Sequence, residues 1–81
     1  MDRHALEHAL RQAAVPPTHY WIEGVHEPSP TPTDFLYVRE EPGGGWETGA
    51  YERGTHKTIA RHPTEGAACA HLWQLLNWVS P

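Results

Sequence analysis

The sequence predicts a small α+β domain: a two-layer sandwich in the order α-β-β-β-β-α, with an antiparallel meander sheet and two helices on one face. Three observations predict it. Apolar residues recur at helical spacing near both ends of the chain. Between those ends, aromatic and β-branched residues alternate with polar ones in short runs. Glycine or proline separates the runs.

Residues 2–14 read as the first helix. Asp2 is placed to cap it by accepting from backbone N–H groups that have no partner within the helix. Leu6, Ala9, Leu10 and Ala13 form its apolar stripe, and Arg3, Glu7 and Arg11 lie off that stripe. Pro16 and Pro17 end it, because proline lacks the N–H and restricts the residue before it. Residues 18–24, around His19-Tyr20-Trp21-Ile22-Glu23, have strand composition. Residues 25–34, with Pro28, Pro30 and Pro32, are unsuited to a sheet and read as an extended connection.

Residues 34–40, Asp-Phe-Leu-Tyr-Val-Arg-Glu, are the clearest strand, and Pro42 to Gly45 supply a turn. Trp46 to Glu52 form the next strand, and Gly54-Thr55 turn it into His56–Arg61, so the middle three strands form an antiparallel meander. Pro63 or Thr64 opens the last helix, with Thr64 as cap and Glu65 at the positive end of the helix dipole. Ala68, Leu72, Leu75, Leu76 and Val79 are its stripe, flanked by Cys69. Trp73 and Trp78 fall off that stripe, where they either cover the sandwich edge or extend a contact surface.

Size and composition narrow the function. At 81 residues the chain is expected to be one domain, residues 1–81. It has room for one core but not for the concave pocket of roughly 300–1,000 Å³ that most enzymes use, so no enzyme and no cofactor are expected. Four Trp, three Tyr and one Phe are too much aromatic mass for a disordered chain. No apolar run approaches the roughly 20 residues that cross a bilayer, and the first residues lack the plan of a signal peptide. One cysteine, Cys69, allows no internal disulfide, and the expected compartment is the cytoplasm. The formal charge of −4 disfavours phosphate backbones, which leaves a basic protein surface as the better partner.

Strand alternation assigns the faces. Leu36, Val38, Tyr20, Ile22, Ala50 and either Ile59 or its neighbours are expected to meet the helices. Phe35, Tyr37 and Arg39 then point the other way, joined by Trp21, Glu47, Tyr51 and Arg53. Two short helices shelter one side of the sheet, so the second side is expected to be wet. Aromatic residues mixed with arginine are the composition of a protein-binding surface, although aromatics also favour strands for their own sake. The candidate contact set is Trp21, Phe35, Tyr37, Arg39, Tyr51 and Arg53, with Glu40, Glu41 and Glu47 steering the approach.

Other constellations carry less. His4 and His8 share a helix face, but Glu7 does not stand where a zinc-protease helix needs its glutamate. They read as solvated side chains, and no metal is expected. Cys69 reads as a small buried hydrophobe, and Glu65, one helical turn before it, does not make the electropositive setting that a nucleophilic thiol needs. Pro42 to Gly45 lack the Lys-Ser/Thr of a phosphate loop.

Two families resemble parts of the chain. The α-β-β-β-α core and Ala67-Ala68-Cys69-Ala70-His71-Leu72 resemble the double-stranded-RNA-binding domain. Those domains enter the last helix through a lysine-rich segment, whereas this chain reads His62-Pro63-Thr64-Glu65-Gly66-Ala67, so the topology is kept and the activity rejected. The segments Phe35-Leu36-Tyr37-Val38-Arg39-Glu40, Gly45-Trp46, Tyr51-Glu52-Arg53-Gly54, Thr64-Glu65 and Ala68-Cys69 resemble small actinobacterial immunity proteins of polymorphic toxin systems. Such proteins often carry an aromatic residue two before the Thr-Glu and an acid after it, where this chain has His62 and Gly66. The resemblance implies a stoichiometric inhibitor that binds a toxin domain, and the chain itself is expected to be a monomer or weak homodimer. The alternative is a homodimerising or regulatory module that uses the same face without a toxin partner.

Overall fold

The computed structural model describes residues 1–78 as a four-stranded sheet flanked by two helices. Helix α1 spans Arg3–Gln12, strand β1 Tyr20–Ile22, β2 Asp34–Glu40, β3 Trp46–Glu52, β4 Thr55–His62, and helix α2 Glu65–Trp78. Val79 of the expected stripe and the side chain of Trp78 lie outside the described residues.

Both helices begin where polar caps stand. The Asp2 carboxylate accepts from the Ala5 N–H at 2.7 Å, and the Thr64 hydroxyl accepts from the Ala67 N–H at 3.1 Å. The end of α1 departs from expectation. The chain leaves the helix before the prolines, with Ala14 in the left-handed region at φ 58° and the Val15 N–H donating back to the Leu10 carbonyl at 3.1 Å. That bond is the six-to-one closure of a Schellman turn, which glycine normally occupies.

The strand order is β1-β2-β3-β4. β2, β3 and β4 pair antiparallel, as the meander requires. β1 does not follow it: Tyr20, Trp21 and Ile22 pair parallel with Leu36, Tyr37 and Val38. The reason lies in the connection. After β1 the chain folds tightly back, with the His26 N–H donating to the Ile22 carbonyl at 2.8 Å. Pro28, Pro30 and Pro32 follow before β2 begins at Asp34. A three-residue strand is only about 10 Å long, so this connection returns the chain to the starting end without a crossover helix.

Leu6 and Leu10 from α1 and Ala68, Cys69, Leu72 and Leu76 from α2 join Tyr20, Ile22 and Val38 in one buried cluster. This is the core face that alternation predicts. Leu36 packs against the cluster, half-buried. On β4 the inward residue is Ala60, opposite Thr48, whereas Ile59 is the extra residue of a bulge at the Thr48/Gly49 step and is exposed. The two helix starts are tied together through Arg3. Its backbone N–H and Nε donate to Glu65 Oε2 at 2.9 and 3.0 Å, its Nη1 donates to the Glu23 carbonyl at 2.8 Å, and its guanidinium lies 5.0 Å from the Trp46 ring centre. These bonds from Arg3 hold the Glu65 carboxyl below the usual carboxylate range.

Replacing Ala14 with glycine removes the strain of a left-handed alanine. The expected outcome in urea or thermal melts is a gain of about 0.5–1 kcal/mol with the fold unchanged.

Candidate functional site

The side of the sheet without helices is built around a buried carboxylate. Glu47, central on β3, is only 6% exposed. Tyr37 Oη donates to its Oε2 at 3.1 Å, Thr58 Oγ1 donates to the same oxygen at 2.6 Å, and Arg39 Nε donates to Oε1 at 2.9 Å. Burial by itself raises the carboxyl pKa, but the bonds from Thr58, Arg39 and Tyr37 outweigh it, so Glu47 stays ionised below the ordinary range. The donors come from β2 and β4, so one carboxylate links three adjacent strands.

Gly49 completes this arrangement. It stands opposite Tyr37 in the register. A Cβ at this position would lie 2.5 Å from Tyr37 Oη and 2.7 Å from its Cζ, and closer still to the Lys57 carbonyl oxygen. Only glycine lets the tyrosine ring lie down over β3 and reach Glu47. Arg39 in turn covers Tyr37, with its guanidinium 5.1 Å from the ring centre.

Next to this cluster runs an aromatic row. Trp21 stacks on Phe35 at 5.2 Å and 15°, and Phe35 stacks on Tyr51 at 4.6 Å and 8°. These spacings match the roughly 4.8 Å between strands, so the rings stand upright, face against face, across β1, β2 and β3. His56 closes the row edge-on to Tyr51 at 4.8 Å and also meets Tyr37 at 5.0 Å. Burial, then the Arg39 charge, lower the His56 pKa, with Glu47 opposing.

The structure brings most of the expected contact residues to this side, but it divides them by exposure. Phe35 and Tyr37 are buried by their neighbours, and Glu47 is spent on internal bonds rather than left to steer. Trp21, Arg39 and Tyr51 are half-buried. Glu41 pairs with Arg61 at 2.8 Å, and Glu40 is exposed at the far end of β2. Arg53 is exposed in the β3–β4 turn, where it and Gly54 both have positive φ, 49° and 87°. That pair makes a type I′ turn, whose first position favours Asn or Gly rather than Arg. The wet face expected from the helix count is therefore partly dry, because its own side chains cover one another.

On the helix side of the sheet, at its Asp34 end, is a cleft of about 370 Å³ lined by Leu36, Ala50 and Leu76, with His19, Asp34, Phe35, Tyr51 and Glu52 at its margins. Asp34 and Glu52 are exposed carboxylates and cross-strand partners. An aliphatic stem with a cationic head fits such walls and charge.

A second polar cluster lies on the helix side and was not legible in the spacing. Thr48 is fully buried, and its hydroxyl is 3.1 Å from His62 Nε2 and 2.7 Å from His71 Nδ1. The only sequence signal is a threonine at an inward position of β3. Because Thr48 is closed to solvent, its contact with His71 gives no accessible nucleophile. Cys69 is buried as expected, and burial, with Glu65 adding to it, pushes its thiol up to about 11. His4 and His8 are exposed on α1. Among the described residues no helix is long and apolar enough to cross a membrane. No family model matches the sequence, and no curated protein or solved structure matches it.

Two outcomes test the carboxylate cluster. Gly49→Ala is expected to cost about 1–3 kcal/mol in denaturant melts, because neither the Lys57 carbonyl nor the tyrosine ring has room to yield. The lowered Glu47 pKa means that its stabilisation is present above the ordinary carboxylate range and disappears as pH falls through the folded value. Glu47→Gln is therefore expected to lower stability near pH 7 by about 1–3 kcal/mol. The gap to the unsubstituted chain should close as pH falls from the ordinary carboxylate range through the lowered folded value, and a gap that stays flat on acidification would contradict the assignment.

Proposed function

We propose that this chain is an immunity-type protein: it binds a toxin domain through the helix-free side of its sheet and neutralises it stoichiometrically, with no chemistry of its own. The observation that carries this reading is the aromatic row Trp21–Phe35–Tyr51, held upright beside the Glu47 cluster. A face whose anchors are already locked loses little ordering entropy on docking. Half-buried Trp and Tyr, with Arg at the margin, are the residue types that dominate binding energy at protein interfaces.

Two further observations support the choice of partner. The rings of the row spend their faces on one another, so the surface offers ring edges rather than the open platforms on which nucleic-acid bases stack. The exposed carboxylates Asp34 and Glu52 stand at the sheet end bordering the row, where they suit a lysine or arginine from a basic protein. Arg53 sits in a strained conformation that Asn or Gly would adopt more easily, and a strained exposed residue is a reason to look for a contact.

The test begins with the neighbouring genes: this reading expects one of them to encode a toxic domain, and then expects affinity for that domain and growth rescue on co-expression, while the absence of any such gene would count against it. Trp21→Ala and Tyr51→Ala are each expected to weaken binding by more than about 2 kcal/mol, roughly 30-fold, without unfolding the chain. Arg53→Asn is expected to raise the melting temperature while weakening binding, which separates a contact role from a structural one. A stable dimer by light scattering, with binding untouched by all three substitutions, would instead place a second copy of this chain on the face.

A further inference from the structure

His62 on β4 and His71 on α2 reach one point from different elements. His62 Nε2 and His71 Nδ1 lie 3.1 and 2.7 Å from the Thr48 hydroxyl oxygen, and their ring centres are 5.0 Å apart at 50°. Two imidazoles on one tetrahedral ion have nitrogens about 2.0–2.1 Å from the metal, which puts their ring centres roughly 5 Å apart. The rings of this chain already stand at that separation.

The hydrogen bonding is compatible with an ion. The Thr48 hydroxyl has one proton, so it donates to one ring nitrogen and accepts from the N–H of the other. Both rings are half-buried, which leaves each an exposed portion where a proton can move to the outer nitrogen through water. A tautomer shift in one ring thus turns both inner nitrogens into lone-pair donors, with no net loss of a proton. The Arg3–Glu65 pair lies in the same packing layer, with Arg3 over Trp46, the cross-strand neighbour of His62.

We propose that His62 Nε2, His71 Nδ1 and the Thr48 hydroxyl form a binding site for a divalent late transition-metal ion, with water in the remaining positions. Among the described residues no group of three His, Cys or carboxylate side chains gathers. The site is therefore a two-imidazole clamp of modest affinity, ordered Cu²⁺ above Ni²⁺ and Zn²⁺. Its effect would be to fasten α2 to β4. This inference does not depend on the proposed toxin partner.

The experiment is titration of the tag-free chain with Cu²⁺, Ni²⁺ and Zn²⁺ separately, followed by calorimetry, by melting temperature and, for Zn²⁺, by the imidazole resonances in NMR. One equivalent should bind, raise the melting temperature through mass action, and shift the His62 and His71 ring signals ahead of all others. Binding should survive in the His4→Gln/His8→Gln double variant, disappear in His62→Gln and in His71→Gln, and weaken about tenfold in Thr48→Val. The NMR readout on the unsubstituted chain decides the matter even where a variant folds poorly. The proposal is overturned if no ion binds, if the His62 and His71 signals stay unmoved, or if binding is lost with His4 and His8 instead.

Discussion

A carboxylate without water around it has to be answered by donors, and the helix-free side of this sheet is organised by that demand. Leaving Glu47 buried and unpaired would cost several kcal/mol. Tyr37, Arg39 and Thr58 answer it from two other strands, and each is fixed in doing so. Tyr37 lies across Gly49, Arg39 lies across Tyr37, and Thr58 reaches Glu47 just beyond the bulge at Ile59. The register of β4 on β3 and the order of the outer face are therefore one problem with one solution.

The two sides of the sheet divide the work. The helix side supplies the burial that drives folding, with Leu6, Leu10, Leu72 and Leu76 closing on Tyr20, Ile22 and Val38. Arg3 sets where the helices begin relative to each other by bonding Glu65 and the Glu23 carbonyl. The outer side gains order without a helix, because its aromatic rings stack on each other and its charges pair internally. In the function proposed for the chain, a surface ordered in this way would lose little further freedom on docking.

The sheet edge is managed differently from the face. β4 is a long outer strand, and its unpaired backbone groups would attract another strand. It carries Lys57, Arg61 and the Ile59 bulge, the devices that discourage such pairing. These devices disfavour backbone addition at β4 and leave the ordered face as the surface on which the proposed docking would take place.

Much of this was determined by the sequence alone. The bounds of β2 and β3, the caps Asp2 and Thr64, and the sorting of Leu36 and Val38 from Phe35 and Tyr37 follow from periods and turn chemistry that act within a few residues. Exposure on the outer face was not legible, because alternation says which way Tyr37 and Glu47 point and nothing about what lies over them. Nor was the direction of β1, which a folded-back, proline-bearing connection reverses. The meeting of His62 with His71 around Thr48 joins residues 14 and 23 positions apart. Tertiary structure decided these features for one physical reason: burial and hydrogen bonding are settled by neighbours in space, and no local period of the chain encodes which neighbours those will be.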